Sequence, residues 1–452
     1  MTVKANSADR FHPSSKLYAV LNYNYVLFPL TQLLTYYALF KIAQATWYYA
    51  VVSHENTWHW TTAVHFLLNA IFVVSQFPPY ANVWGMCLPI RTYKKKEAIR
   101  RRPFQTLRIC LVTKGTNFQT VLTSTSRWSR LKHPSLQFHV LVDGGNGLKF
   151  KEALPSYIHI DDVPDSFKPT SAKYKARALE FFRRKHSLTK SDWVLHLDEE
   201  SEIDEYVIET CLDFIERGTA EVGMGTIFYN GANHWKNAFL STGEVMRIAD
   251  DFGRFQLPVR LLQRPLLGWM HGSWILINGE VENSVTWDTA CIAEDFWFAY
   301  RAASLGYKFG WLHAIVREQP PCTFKDFLKQ RRRWYTGILS IDSAIVRFML
   351  TASILGVACF YMFPLYGLLG YRIPMPKWYF YWILWNDATN VHALLASSIM
   401  QDMTMTDISW MDIALNALKA VALSPLVHLM QTVALISSWI QPSQGFKVIE
   451  KI

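Results

Sequence analysis

Asp198 and Glu200 stand two residues apart in the run HLDEES. In an extended chain alternate side chains share one face, so both carboxylates can reach the same point. Hard oxygen ligands this close suit Mg²⁺ or Mn²⁺, normally with substrate phosphates completing the shell. The competing reading is an acidic N-cap for a helix beginning near Ile203. Taken alone the pair does not decide between them, but the apolar run WVLHL leading into three acids favours the metal.

Other residues have chemistry in their type and place. Asp143 ends FHVLVDGG, where an Asp before Gly-Gly is usually a turn former. It also stands where a base or ribose would lie in a doubly wound sheet. Glu294 and Asp295 precede the amphipathic stretch FWFAYRAASLGY. Acids there commonly favour the helix dipole, and the same place suits a general base if an acceptor hydroxyl comes within hydrogen-bond reach. The run KQRRRWYTGI, residues 329–338, sets three arginines against a tryptophan just before an apolar segment. It reads as a nuclear-type basic patch, a bilayer-proximal anchor, or a clamp for a polyanion where a soluble domain meets a membrane.

The elements that must carry these residues are legible as short β-branched runs. LRICLVTKG, FHVLVDGG and SDWVLHLDEES read as strands, and AKYKARALEFFRRKHS reads as a helix between them. Strand, helix, strand with apolar strands predicts an α/β domain with a mainly parallel sheet over residues 105–340. Ligands of such sheets bind at the carboxyl ends of the strands, which points to Thr113, Asp143 and the acids at 198–200.

The charged fraction is 18%, below the roughly 25% of soluble domains, and the shortfall is concentrated toward the two ends. Residues 17–51 and 61–77 are apolar at about the length a bilayer needs, with Pro78 and Pro79 expected to end or kink the second. No cleavage site follows the first, which argues against a removed signal peptide. The stretch RTYKKKEAIRRR at 91–102, with Lys4, Arg10 and Lys16, marks the cytoplasmic side. Past residue 340 come apolar stretches at 342–371, 378–400 and 411–440. The middle one carries Asn386, Asp387, Asn390 and His392 and is polar enough to be re-entrant or to face protein; Pro425 interrupts the last. The expected organisation is a membrane region at 1–90 with about two helices, a cytosolic domain at 91–340, and a membrane region at 341–452 with two or three. None of the six cysteines forms a CxxC pair, so a zinc ribbon or disulfide framework has no support. The net charge of +10 suits an anionic membrane surface or anionic substrate and does not by itself indicate nucleic acid.

Together, Asp143, KARAL at 175–179, DEE at 198–200, HGS at 271–273, AED at 293–295 and QRRRW at 330–334 resemble glycosyltransferase family 2, inverting nucleotide-sugar enzymes with a GT-A (Rossmann-like) fold. Gln330, Arg333 and Trp334 match the Q-x-x-R-W pattern of its membrane-embedded branch. VTKG, SDWVLHLDEE, AED before RAASLGY, and FLKQRRRWYTGI look like the Egghead-type β-1,4-mannosyltransferases. That resemblance implies mannose transfer from GDP-mannose to glucosylceramide in a β-1,4 linkage, with Asp295 as catalytic base. It puts Thr113, Lys114, Asp143, Lys175, Asp198, Gln330 and Arg333 on the donor and His271, Gly272, Ser273, Glu294 and Trp334 on the acceptor. Asp198 and Glu200 would hold the diphosphate through Mg²⁺ or Mn²⁺, although many relatives have Asp where this chain has Glu200. Arg331 and Arg332 would meet lipid headgroups. The implied setting is a multi-pass protein of the endoplasmic reticulum or Golgi membrane with its catalytic domain in the cytosol. A processive hyaluronan- or chitin-type synthase using a UDP-sugar, and a membrane scaffold with an inactive domain, are the alternatives.

The opening ambiguity of the arginine run then has a physical answer. A nucleoside diphosphate leaves with growing negative charge, which a preorganised metal and guanidinium stabilise, and an indole offers a flat apolar face to a sugar.

Overall fold

Proline opens a helix as readily as it ends one, and here it opens one. In the computed structural model, which describes residues 24–46, 63, 77–88, 104–368 and 376–443, Pro78 and Pro79 lie in the first turn of helix α2 (Phe77–Met86), after α1 (Asn24–Thr46). A first-turn proline loses only an N–H that has no partner there. The candidate helix at 61–77, save its ends, the basic run at 91–102 and the N-terminal cations lie outside the described residues.

The chain continues through β1 (Thr106–Thr113), α3 (Phe118–Thr125), β2 (Leu136–Val142), β3 (Ile158–Asp162), α4 (Tyr174–Lys185), β4 (Asp192–Asp198), α5 (Glu205–Arg217), β5 (Val222–Phe228), β6 (Ile275–Asn278), α6 (Glu294–Ser304), β7 (Phe309–Arg317) and α7 (Phe324–Leu339). Three long helices follow: α8 (Ala344–Leu368), α9 (Lys377–Asp402) and α10 (Trp410–Ile440). Two compact units result. One comprises Met1–Ile90, Ser241–Leu257 and Ser343–Ile436; the other comprises Arg91–Leu240, Pro258–Asp342 and Ser437–Ile452.

In the helical unit, Tyr25–Ala45 and Trp410–Ile440 are long and apolar enough to cross a membrane. Pro425 does not interrupt α10. The hydroxyl of Ser424 donates to the Val421 carbonyl at 2.9 Å, supplying the hydrogen bond that the proline cannot. The polar residues of α9 face protein: Asn386, Thr389 and His392 are buried. They bond respectively to Tyr80, Gln32 and Thr31 of α2 and α1. Polar contacts of this kind join helices where packing alone gives little specificity.

The other unit is built on a seven-stranded sheet in the order β3-β2-β1-β4-β6-β5-β7. Only β6 runs antiparallel to its neighbours, so the mainly parallel α/β sheet expected of a GT-A domain is what forms. The inner strands are apolar on both faces because helices cover both: β5 is buried along its whole length, and β4 up to its last residue. From β1 the chain leaves toward β2 and β3 on one side, while β4 pairs on the other. That reversal opens a crevice beyond the carboxyl ends of β1 and β4.

Candidate active site

Asp198 closes β4, paired in register with Val112 of β1. The helix after it is capped by Asp204, whose carboxylate accepts the Val207 N–H at 3.0 Å. The acids at 198–200 are therefore not needed as a cap. Asp198 keeps about a third of its side chain exposed, while Glu199 between the two candidate ligands turns inward. Ser273 lies beneath this motif. Its Oγ accepts the Asp198 N–H at 3.1 Å and meets the Ser201 hydroxyl at 2.7 Å, which in turn donates to Glu318. Ser273 is 2% exposed, so it supports the acidic turn from below instead of facing an acceptor.

Lys175 joins the acidic turn to the second carboxylate pair. It follows Tyr174, whose φ of +56° turns the chain into α4 through the left-handed region. Its ammonium bonds to Asp198 Oδ1 and, at 2.6 Å, to the Gly272 carbonyl, and lies 3.8 Å from Glu294. Burial alone would depress the Lys175 pKa, but Asp198 and Glu294 outweigh it and the pKa is raised. A side chain at Gly272 would crowd this bridge. A Cβ would sit 3.0 Å from Asp295 Oδ2 and 3.2 Å from the Lys175 ammonium.

Glu294 and Asp295 form the first turn of α6. Asp295 Oδ1 accepts the Phe296 N–H at 2.8 Å, so it serves the helix end and faces Gly272 as well. Burial, then the charge of Asp295, pushes Glu294 up to about 7. Burial also raises Asp295, opposed by Lys175 and Arg333. Two acids sharing a buried place resist joint ionisation.

Asp143 is not a turn former. Its carboxylate is held by Arg177, which also donates to the carbonyls of Phe167 at 3.0 Å and Pro164 at 2.7 Å. Burial raises the Asp143 pKa while Arg177 and then Lys114 lower it. Arg177 was not singled out from the sequence, although it stands two residues after Lys175 in KARAL. Thr113 is buried and Lys114 exposed beside it at the end of β1.

Helix α7 brings the arginine run to α6. Thr323 caps it by accepting the Asp326 N–H at 3.1 Å. Gly337 lets it approach closely: a Cβ there would meet the Ala293 backbone nitrogen at 2.6 Å. The charge of Arg333 reaches both Glu294 and Asp295. Arg331 does not meet headgroups. It is 2% exposed, donates to Gln330 Oε1 at 3.1 Å, and lies over the rings of Trp334 and Phe327. Its flat, weakly hydrated guanidinium tolerates this burial where an ammonium would not. Arg332 donates to the Gln441 carbonyl. His271 is buried beside Gly272.

A second titratable cluster lies toward the other end of the sheet. Ligand atoms of His139, Asp161 and His186 fall within 4.8 Å of one another, an arrangement able to hold a metal ion. The Asp161 carboxylate is also taken by Lys185 at 2.7 Å. Its low pKa, held down by His139 first and His186 next against the cost of burial, reflects that ion-pair network. A hard divalent cation favours carboxylates over imidazole, which keeps Asp198 and Glu200 as the candidate donors. They are two carboxylates at a strand end, one of them a third exposed, with no imidazole among them.

Residues 193–398 match the model of the glycosyl transferase family group 2. The β-1,4-mannosyltransferase bre-3 of Caenorhabditis elegans is 30% identical over 294 residues, and the match spans 62% of this chain and 62% of that relative. The β-1,4-mannosyltransferase egh of Drosophila melanogaster is 36% identical over 185 residues, 40% of each chain. Among solved structures, the mannosyltransferase PcManGT of Pyrobaculum calidifontis, in complex with GDP-Man and Mn²⁺, aligns over 84% of this chain and 99% of its own. Its identity is 13% and its TM-score 0.46, too loose a likeness to assign a substrate or a metal. The family match and the two curated relatives support a family 2 glycosyltransferase similar to the Egghead-type enzymes, and the chain spans less than two thirds of those relatives' own length.

Proposed function

We propose that this protein transfers a single mannose from GDP-mannose to the glucose of a glucosylceramide lipid, forming a β-1,4 linkage with inversion. The observation that carries the reading is the buried lysine bridge. Lys175 links Asp198 of the acidic strand end to the Glu294–Asp295 pair, with Arg333 close by. An inverting transfer needs this juxtaposition of a place for the departing diphosphate and a base for the incoming hydroxyl. The mannosyl and β-1,4 specificity follow the curated relatives, which bear that name. The lipid acceptor rests on the Egghead-type resemblance and on the two helices fit to cross a membrane. On the same grounds we place a catalytic domain over 91–340, facing the cytosol of a multi-pass endoplasmic reticulum or Golgi protein.

In this mechanism Asp295 takes the proton from the acceptor hydroxyl as oxygen attacks the anomeric carbon, while the bond to the β-phosphate oxygen breaks on the opposite face. Arg333 neutralises the departing diphosphate, and Lys175 holds Asp198 in place. Mg²⁺ or Mn²⁺ held by Asp198 and Glu200 would supply further charge neutralisation there. Thr113, Lys114, Asp143 and Gln330 line the nucleotide, with Arg177 fixing Asp143. Trp334 stacks on the acceptor sugar beside His271, Gly272 and Glu294.

Asp295→Asn tests the assignment of the base. General-base catalysis contributes about 10²–10⁴-fold, so transfer should fall by that factor while GDP binding to the purified protein stays near wild type. Undiminished turnover by the variant would sink the assignment.

A further inference from the structure

The middle residue of the acidic motif has no ligand role in the proposed mechanism, yet it is the most deeply buried of the three. Glu199 is 8% exposed. Its Oε2 accepts the Thr113 hydroxyl and its Oε1 the Asn117 amide, each at 2.5 Å. Its backbone carbonyl accepts the Ser124 hydroxyl at 2.8 Å. One residue at the end of β4 therefore grips the end of β1, the loop after it and the helix that follows.

The grip continues toward the nucleotide side. Thr113 Oγ1, while donating to Glu199, accepts the Gly115 N–H at 2.8 Å, and Gly115 has a φ of +83°. The Thr113 carbonyl accepts the Asp143 N–H at 2.9 Å. A Cβ on Gly144 would meet the Lys114 carbonyl at 2.6 Å, so the loops after β1 and β2 are in contact. Asn117 stands at the N-cap of α3, and asparagine there normally accepts a helix N–H. Its side chain makes no cap hydrogen bond, and its amide goes to Glu199. The sequence thus forgoes an ordinary stabilising contact to tie this loop to the acidic turn.

We infer that Glu199 is a positioning residue for the donor, fixing the β1 loop to the acidic turn so that nucleotide and diphosphate contacts are presented as one preformed surface. The inference rests on the proposed donor reading of Thr113, Asp143 and Asp198. Preorganisation of this kind improves affinity by lowering the ordering cost of binding, so Glu199 acts on donor affinity without touching the donor.

The test uses the full chain purified in detergent, titrated with GDP at saturating Mn²⁺, with UDP in parallel and Mn²⁺ alone as a further arm. Glu199→Leu keeps the volume and leaves Thr113 and Asn117 without their acceptor. It should weaken GDP binding at least about tenfold, as expected when two donors lose their shared acceptor, while Mn²⁺ alone binds within about twofold of wild type. Glu199→Gln can accept the Thr113 hydroxyl and donate to a flipped Asn117 amide, so it should restore affinity to within about threefold. Thr113→Val combined with Glu199→Leu should cost less than the sum of the two, because both break one linkage. Wild-type GDP affinity in Glu199→Leu, equal loss of Mn²⁺ and GDP accompanied by a lowered Tm, or strictly additive effects would overturn the proposal. Wild-type protein that binds UDP instead of GDP would overturn the donor choice, and the same variants then read out with UDP. Wild-type protein that binds neither would overturn both.

Discussion

The guanidinium of Arg331 lies 4.3 Å from the ring centroid of Trp334, with the ring of Phe327 4.7 Å from the same cation. The arginine that looked most like a surface charge is thus a buried support for the tryptophan beside it. Holding the indole in place suits its proposed role of stacking on the acceptor sugar. Such a contact is worth about 0.5–2 kcal/mol, more when desolvated. Trp334→Ala should raise the acceptor KM with the donor KM little changed. Arg331→Met should raise the acceptor KM by about 5- to 30-fold, the equivalent of about 1–2 kcal/mol. Arg332→Ala should leave both constants near wild type. Steady-state kinetics with each substrate varied in turn checks this; three equal effects confined to membrane association would return the run to an anchor.

Arg177 makes a parallel case on the donor side. Arg177→Met strands the Asp143 carboxylate and releases the carbonyls of Phe167 and Pro164. Breaking a buried pair from one side costs about 3–5 kcal/mol; with 17–19% of these side chains exposed, about 1–3 kcal/mol is the expectation. GDP affinity should fall as well. Adding Asp143→Asn to Arg177→Met should recover part of the stability and none of the affinity. Thermal unfolding and nucleotide titration on the same samples separate the two effects, and unchanged GDP binding in Arg177→Met would count against Asp143 at the base.

The Glu294–Asp295 pair predicts opposite pH trends for stability and activity. Burial first, then Asp295, pushes Glu294 up to about 7, and burial raises Asp295 too. A raised carboxyl binds its proton more tightly in the folded state. Its contribution to stability is therefore full below the unfolded value of about 4.3 and is lost as pH rises through about 7. With Asp295 as the proposed base, the acid limb of the kcat/KM profile should lie above the range of an ordinary aspartate, because burial raises its pKa. Arg333→Met removes a cation that lowers the Asp295 pKa and should move that limb to higher pH. Initial rates and unfolding midpoints across the same pH series check both. A limb unmoved by Arg333→Met would mean that the guanidinium does not act on Asp295.

The parallel sheet was legible because its strands are short apolar runs that end in Gly or acid, and the burial of β4 and β5 is what makes them so. Thr113, Asp143 and Asp198 could be placed at strand ends for the same reason. The partners of these residues were not legible. Lys175 reaches Gly272 and Glu294 only because the chain returns from far along the sequence, and no local pattern announces a bond across 97 residues. Arg331 was misjudged because charge normally seeks water, and only the fold reveals two aromatic rings around it. Pro425 misled because its compensating donor, Ser424, is a single hydroxyl whose direction depends on the helix being formed.

Product analysis on the purified chain decides whether the transfer is mannosyl, single and cation-dependent. GDP-mannose, UDP-glucose, UDP-N-acetylglucosamine and UDP-glucuronate should be offered in parallel, with and without glucosylceramide, in Mn²⁺ or Mg²⁺ and in excess chelator. The expected product is one β-1,4-linked mannose per acceptor, from GDP-mannose only, abolished by chelator and restored by the cation. A long polymer from any UDP-sugar, no use of GDP-mannose, or full activity in chelator would contradict it.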